Sequence, residues 1–214
     1  MIKIECKAIL FDLDGTLVDS GPCIERLWAC WASENHLDVN YVLSVIHGRT
    51  VSETLRLISP YFHNQECIDE IKVLAMEELS HVSAIPGAID FVKRLPADRQ
   101  AIVTSGAKEV AMRSIMGAGI SAPNVIITAE DVHNGKPDPE PYLKAAARLG
   151  MKPADCLVFE DAESGIKAAV AAGMHVVVIG NTDHSLLKDK NIMQLDNYTF
   201  IRTSFENDMI SLEW

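Results

Sequence analysis

A chain of 214 residues with 48% hydrophobic and 23% charged side chains has the make-up of a folded globular protein, long enough for a large core and an inserted module. Its formal net charge of -11 excludes a sequence-independent grip on nucleic acid or on an anionic membrane, so an anionic ligand must be met by local positive charge. The five cysteines (Cys6, Cys23, Cys30, Cys67, Cys156) are odd in number and contain no C-x-x-C pair. That argues against a zinc or disulfide framework and for small apolar core residues in a reducing compartment.

The apolar run Ile9-Leu10-Phe11 breaks off into Asp12-Leu13-Asp14-Gly15-Thr16. Alternation along a strand sends Asp12 and Asp14 to the same side, where two carboxylates repel. They suit a bound cation or a proton-transfer pair, or else merely the solvated acids of an Asp-Gly turn. Ser20 then stands where it can cap a helix in which Ile24, Leu27, Trp28 and Trp31 form an apolar stripe. Thr50-x-x-Glu53 is a capping-box pattern ahead of Leu55 and Ile58, and Ile68, Ile71, Ala75 and Leu79 mark a further helix. From about 19 to 82 the pattern is helical throughout.

Beyond Pro86-Gly87, short β-like runs alternate with helices in the manner of a parallel α/β sheet. A helix carrying Phe91 and Val92 leads to the strand 101–104, and one carrying Val110 and Ile115 leads to the strand 125–128. The loop Asn134-Gly135-Lys136-Pro137-Asp138-Pro139 precedes a helix with Tyr142, Leu143, Ala146 and Leu149. Three more apolar runs follow, at 156–159, 175–179 and, more weakly, Tyr198-Thr199-Phe200-Ile201. The longest apolar stretch, Ala168 to Gly180, falls short of the ~18 residues of a membrane span, and no targeting segment is evident. The expectation is a doubly wound, Rossmann-like parallel sheet made from 1–18 and 83–214, with a small all-helical cap inserted at 19–82.

In such sheets ligands sit at the carboxyl ends of the strands. Four groups of chemically apt residues fall there: Asp12 and Asp14, Thr104-Ser105-Gly106, Lys136, and Glu160-Asp161. Each alone has an ordinary reading as a turn, a solvated loop or a helix cap. Their shared position is what argues for one site.

The set resembles the haloacid dehalogenase superfamily of phosphatases. Its four motifs correspond here to Asp12-Leu13-Asp14-Gly15-Thr16, to Thr104 in Val103-Thr104-Ser105-Gly106, to Lys136 in Gly135-Lys136-Pro137-Asp138-Pro139, and to Glu160-Asp161 in Phe159-Glu160-Asp161-Ala162-Glu163-Ser164-Gly165, in family order over nearly the whole chain. The likeness is strongest to phosphatases acting on small sugar or polyol phosphates in the cytoplasm. It implies Asp12 as the nucleophile that becomes an aspartyl phosphate, Asp14 as general acid and base, and Lys136 as the charge holding Asp12 and the phosphate. Thr104, Ser105 and Gly106 are the implied phosphate ligands. Magnesium is the implied cofactor, held by Asp12, Asp14 and Asp161 with Glu160 in or beside its shell. His47 and Arg49 in the cap are expected to meet the sugar, and a monomer is expected.

A sugar-phosphate mutase of the same superfamily is the nearest alternative. Its relatives are expected to offer a His in the first cap helix, and this chain has Ile24 at the matching position. A phosphoacceptor receiver or binding protein without turnover is the alternative from another class. A receiver, however, places its acidic pair before the phosphoacceptor and has no helical insertion. Neither G-x-G-x-x-G, G-x-x-x-x-G-K-[ST] nor G-x-S-x-G occurs.

Overall fold

The computed structural model describes residues 2–46, 49–180 and 192–214. At its centre is β2 (Ala8–Phe11), all four residues of which are buried. A strand with both faces covered has no use for polar alternation, which is why it reads as a continuous apolar run. Ile9 and Phe11 enter one core layer, Ala8 and Leu10 the layer on the other face.

Six strands form the main sheet: β2, β5 (Gln100–Val103), β6 (Val125–Ile127), β7 (Cys156–Glu160), β8 (His175–Ile179) and β9 (Ile192–Leu195). Their order is β6-β5-β2-β7-β8-β9, and every pairing is parallel. The chain therefore adds strands first to one side of β2 and then, from β7, to the other. The switch point lies between β2 and β7, where Leu10 stands beside Val158 and Phe11 beside Phe159. The helices α5 (Ala88–Arg94), α6 (Lys108–Gly117), α7 (Glu140–Arg148) and α8 (Glu163–Ala171) connect these strands and cover the two faces. On one face Phe11, Phe91, Phe159 and Tyr198 gather into an aromatic cluster, with Phe91 and Tyr198 stacked at 5.2 Å.

Four helices, α1 (Gly21–Glu34), α2 (Val39–Val45), α3 (Val51–Ile58) and α4 (Gln65–Glu78), build an apolar cluster of their own around Trp28, Trp31, Leu55 and Ile71. Complete burial of such side chains stabilises by about 1.5–3 kcal/mol each, enough to hold a layer of short helices together. The predicted capping box at α3 is present, with Thr50 and Glu53 each bonding the other's backbone. Asp38 and Asn64 cap α2 and α4. The layer joins the rest of the chain through a two-stranded antiparallel ribbon, β3 (Val18–Asp19) with β4 (Ser83–Ala84), in which Val18 faces Ala84 and Asp19 faces Ser83.

Several expectations need correction. Ser20 occupies the N-cap position of α1 but makes no capping bond. The run 198–201 is a turn, because Tyr198 is turned inward to donate to Thr16 O at 3.2 Å while Phe200 is 82% exposed. A second sheet, absent from the sequence reading, joins β1 (Lys3–Cys6) to β11 (Met209–Glu213) and β10 (Arg202–Glu206) in antiparallel pairs. All five cysteines are free, but only Cys6 and Cys156 are buried, and Cys30 is exposed. Among the described residues no helix is long and apolar enough to cross a membrane.

Candidate active site

β2 ends at Phe11, and the next backbone amide, that of Asp12, donates to Phe159 O at 2.9 Å, so Asp12 is held in line with β7. Gly15 then turns the chain at φ +84°, and Gly15 N–H donates to Val18 O. A side chain at Gly15 would strike the Asp161 carboxylate, with a Cβ only 2.1 Å from Oδ2. Thr16, fully buried, donates its hydroxyl to Asp161 Oδ1 at 3.0 Å. The first motif and the last are thus locked edge to edge across the switch point.

Lys136 carries the only basic side chain buried among the described residues. Its ammonium reaches Asp12 Oδ1 at 2.5 Å, Glu160 Oε1 at 2.7 Å and the carbonyl of Val103 at 3.0 Å, which uses all three of its protons. It also lies 5.1 Å from the ring centroid of Tyr142. Glu160, the last residue of β7 and fully buried, is bonded on both oxygens. Oε1 accepts from Lys136 and, at 2.9 Å, from the Tyr142 hydroxyl; Oε2 accepts from the amides of Asp161 and Ala162, each at 2.9 Å. Gly165 on α8 leaves room for that carboxylate, since a Cβ there would fall 1.5 Å from Oε1.

One ammonium cannot balance this many carboxylates. Asp12 is pushed well above the ordinary carboxylate range by burial, against the pull of Lys136. Burial also raises Asp14, which Ser20, Lys136 and Thr104 lower in part. Asp161 is pushed up to about 7 by burial and by the neighbouring Glu160. Burial would lower Lys136, but Asp12 and Glu160 outweigh it and hold the ammonium well above its usual value. The carboxylate oxygens of Asp12, Glu160 and Asp161 lie within 4.8 Å of one another. An all-oxygen donor set with surplus negative charge fits a hard divalent cation. Glu160 has both oxygens engaged by protein donors, which suits it to supporting the cluster as much as to binding an ion.

Of the predicted residues, Asp12, Asp14, Thr104, Ser105, Gly106, Lys136, Glu160 and Asp161 all line one cavity of ≈ 390 Å³. Thr104 donates to Asp14 Oδ2 at 3.4 Å and accepts from the Gly106 amide at 3.0 Å, so that amide, expected to serve a phosphate, is engaged by Thr104 here. Arg49 also lines the cavity, exposed, with Nη1 donating to Val45 O at 3.0 Å. His47 lies outside the described residues.

Three contributors escaped the sequence reading. Tyr142 passed for one more apolar position of an amphipathic helix, although a buried phenol needs a partner for its hydroxyl. Thr16 gave no signal beyond membership of the first motif. Ser20 was read as a cap; its buried hydroxyl makes no hydrogen bond of regular geometry, yet it faces Asp14 closely enough to lower that carboxyl. Lys72 on α4 also reaches the cavity wall and pairs with Glu109 at 2.9 Å.

A family model described as haloacid dehalogenase-like hydrolase matches residues 9–179. The chain is 40% identical over 181 residues to hexitol phosphatase A of Escherichia coli (strain K12), covering 82% of this chain and 84% of that one. It is 33% identical over 202 residues to glycerol-1-phosphate phosphohydrolase 2 of Saccharomyces cerevisiae, covering 88% and 81%. Among solved structures, that of a β-phosphoglucomutase from Clostridium difficile superposes with a TM-score of 0.77 at 25% identity, covering 91% of this chain and 92% of that one.

Proposed function

The chain belongs to the haloacid dehalogenase-like hydrolases, and from that premise we propose that it is a magnesium-dependent phosphatase for small sugar or polyol phosphates, working through an aspartyl phosphate on Asp12. The observation that carries the reading is Asp12 at the tip of the central strand, 2.5 Å from the Lys136 ammonium and beside Asp14 in one cavity. We divide the chain into a catalytic core, 1–18 and 83–214, and a helical cap, 19–82.

In this reading Asp12 is the nucleophile and Lys136 fixes its carboxylate and offsets charge as the phosphate arrives. Asp12 Oδ attacks phosphorus, and the bond to the leaving alkoxide breaks as Asp14 gives that oxygen a proton. Burial raises Asp14 in the direction that this step needs. It then takes a proton from water, which attacks the aspartyl phosphate, releases inorganic phosphate and regenerates Asp12. Thr104 holds Asp14 and, with Ser105 and Gly106, borders the phosphate position. Asp12, Asp161 and the Asp14 main chain would hold magnesium with Glu160 as their support, and the ion supplies charge neutralisation between carboxylate and phosphate.

Sugar and polyol phosphates follow from the likeness to the hexitol and glycerol phosphate enzymes. A mutase is disfavoured because Ile24 lines the cavity and offers no polar atom with which to hold a sugar hydroxyl between two phosphoryl transfers. The receiver reading is disfavoured by the cavity itself, which has room for a leaving group next to the acids. Free cysteines throughout support a cytoplasmic setting, and the acidic charge a monomer. The test is release of p-nitrophenol from its phosphate ester with and without magnesium, in the wild type, Asp12→Asn and Asp14→Asn. Metal-dependent release lost in Asp12→Asn and strongly reduced in Asp14→Asn is expected. Release that survives Asp12→Asn sinks the reading.

A further inference from the structure

Thr16 joins the first motif to the last from beneath the cavity, which it does not line. Its hydroxyl holds Asp161 Oδ1 at 3.0 Å, and its carbonyl, buried with the rest of the residue, needs a donor of its own. The donor that meets it comes from 182 positions away: the Tyr198 hydroxyl, at 3.2 Å.

Tyr198 is fixed on every side. Its ring is fully buried, stacked on Phe91 at 5.2 Å, and lies 5.4 Å from Phe159 and 6.4 Å from Phe11, the residues that precede Glu160 and Asp12. Burial, and after it the charges of Asp12, Asp161 and Glu160, holds the phenol well above its usual range, so the oxygen keeps the proton that it donates. Tyr198 N–H donates to Pro86 O at 3.1 Å, and Ile201 N–H closes the turn on Tyr198 O at 3.2 Å. At Gly87, where φ is +80°, an added Cβ would lie 2.7 Å from Thr199 N, so this turn rests directly on the chain as it re-enters from β4. Leu17, next to Thr16, accepts from Ile85 N–H at 2.9 Å. One turn near the C-terminus thus braces both the loop that leaves β2 and the segment that returns to the sheet.

A ligand is held no more firmly than its supports, and removing the hydrogen-bond partner behind a metal ligand weakens metal binding by about ten- to a hundredfold. Here the support is two bonds deep, with Tyr198 fixing Thr16 and Thr16 fixing Asp161. We infer that Tyr198 is a positioning residue of the metal centre, setting the affinity for a divalent cation through Thr16 and Asp161 from outside the four motifs. This rests on the magnesium reading and adds a residue to it. Tyr198 does not line the cavity, so its part is to keep Asp161 where the cation meets it.

The experiment titrates metal-free protein with Mn2+, an ion that takes the same oxygen donors as magnesium, following the loss of the free-ion electron paramagnetic resonance signal, and then displaces it with Mg2+. Partial unfolding lowers the number of sites per chain, whereas a misplaced ligand lowers the affinity of each site. Tyr198→Phe keeps the ring in its stack and is expected to weaken both ions about tenfold at an unchanged number of sites. Thr16→Val is expected to do the same, and the double variant to lose no more than either alone, because both act on one chain of bonds. Phe91→Leu is the packing control: it removes the stacked ring, leaves the hydroxyl and should bind both ions as the wild type does. An affinity of Tyr198→Phe equal to that of the wild type, or an equal loss in Phe91→Leu, overturns the inference and leaves the phosphatase standing. Losses that multiply in the double variant overturn the route through Thr16. A wild type that binds neither ion overturns the magnesium reading and this inference together.

Discussion

Gly165→Ala places one methyl group against the support of the whole site. The new Cβ would lie 1.5 Å from Glu160 Oε1 and 2.1 Å from its Cδ, so the carboxylate has to move by more than an ångström. Glu160 is completely buried, and its bonds to Lys136 and Tyr142 run through the oxygen that is struck. A hydrogen bond to a charged group contributes about 1.5–3 kcal/mol, and forcing an extra methyl into a close-packed interior costs about 1–3 kcal/mol. Against this stands about 1 kcal/mol gained by replacing glycine inside a helix. The net expectation is a loss of about 3 kcal/mol, a large share of a typical stability of 5–15 kcal/mol. Urea denaturation followed by circular dichroism measures it, with phosphate release assayed on the folded fraction, where at least a tenfold fall is expected because Lys136 loses one of its three acceptors. Gly21→Ala is the control: nothing lies within 4 Å of its added Cβ and its φ is not positive, so its midpoint should stay within about 0.5 kcal/mol of wild type. Should Gly165→Ala lose less than about 1 kcal/mol and keep full activity, the account of Glu160 as the fixed support of Lys136 is wrong.

Two further outcomes follow from the same site. Tyr142→Phe removes the 2.9 Å bond to Glu160 but keeps the ring beside Lys136, so thermal unfolding should show a loss of about 1.5 kcal/mol, with Tyr142→Leu losing more; equal losses would deny the ring any part. The second outcome concerns pH. Asp161 titrates at about 7 in the folded chain against an ordinary 3.8, so between those values the folded chain holds a proton that the unfolded chain has given up. Thermal stability in EDTA should therefore fall as pH rises from about 4 to about 7, with Asp12 and Asp14 acting in the same direction. Magnesium should raise the midpoint more at pH 7.5 than at pH 5, where protons compete for the carboxylates. A midpoint that climbs steadily to pH 7 in EDTA would contradict the surplus-charge account.

Strand-end chemistry is the part of this molecule most visible in its sequence. Fully buried strands such as 8–11 and 156–160 announce themselves as apolar runs, and the residue at which each run stops is by construction the one delivered to the carboxyl edge of the sheet. Hence Asp12 and Glu160 were legible, and with them the helical layer, whose apolar stripes recur at helical spacing. The antiparallel sheet of β1, β11 and β10 was not. Its outer strand β10 is largely exposed, and Arg202-Thr203-Ser204-Phe205-Glu206 gives no apolar face to detect, while β11 buries only Ile210 and Leu212. The error at 198–201 has the opposite origin: Tyr198 and Phe200 are both aromatic, but only Tyr198 joins the core. Tyr142 illustrates a further limit, since periodicity assigns a side chain to a face and says nothing of what its hydroxyl must find there. Fine details of the carboxylate cluster, such as Lys136 reaching both Asp12, 124 positions away, and Glu160, 24 positions away, have no local signature.

The ribbon of β3 and β4 gives the helical layer a single doorway. The chain leaves the sheet at Asp19 and returns at Ser83, and those two residues face each other in register, which puts their Cα atoms about 5 Å apart. A stretch that departs and arrives at the same spot can be exchanged for another of any length without altering a strand position in the sheet below. In the proposed phosphatase, chemistry and selectivity would thereby sit on separable pieces of one polypeptide: the carboxylates stay where the parallel strands put them, and the helical layer over them is free to be rewritten.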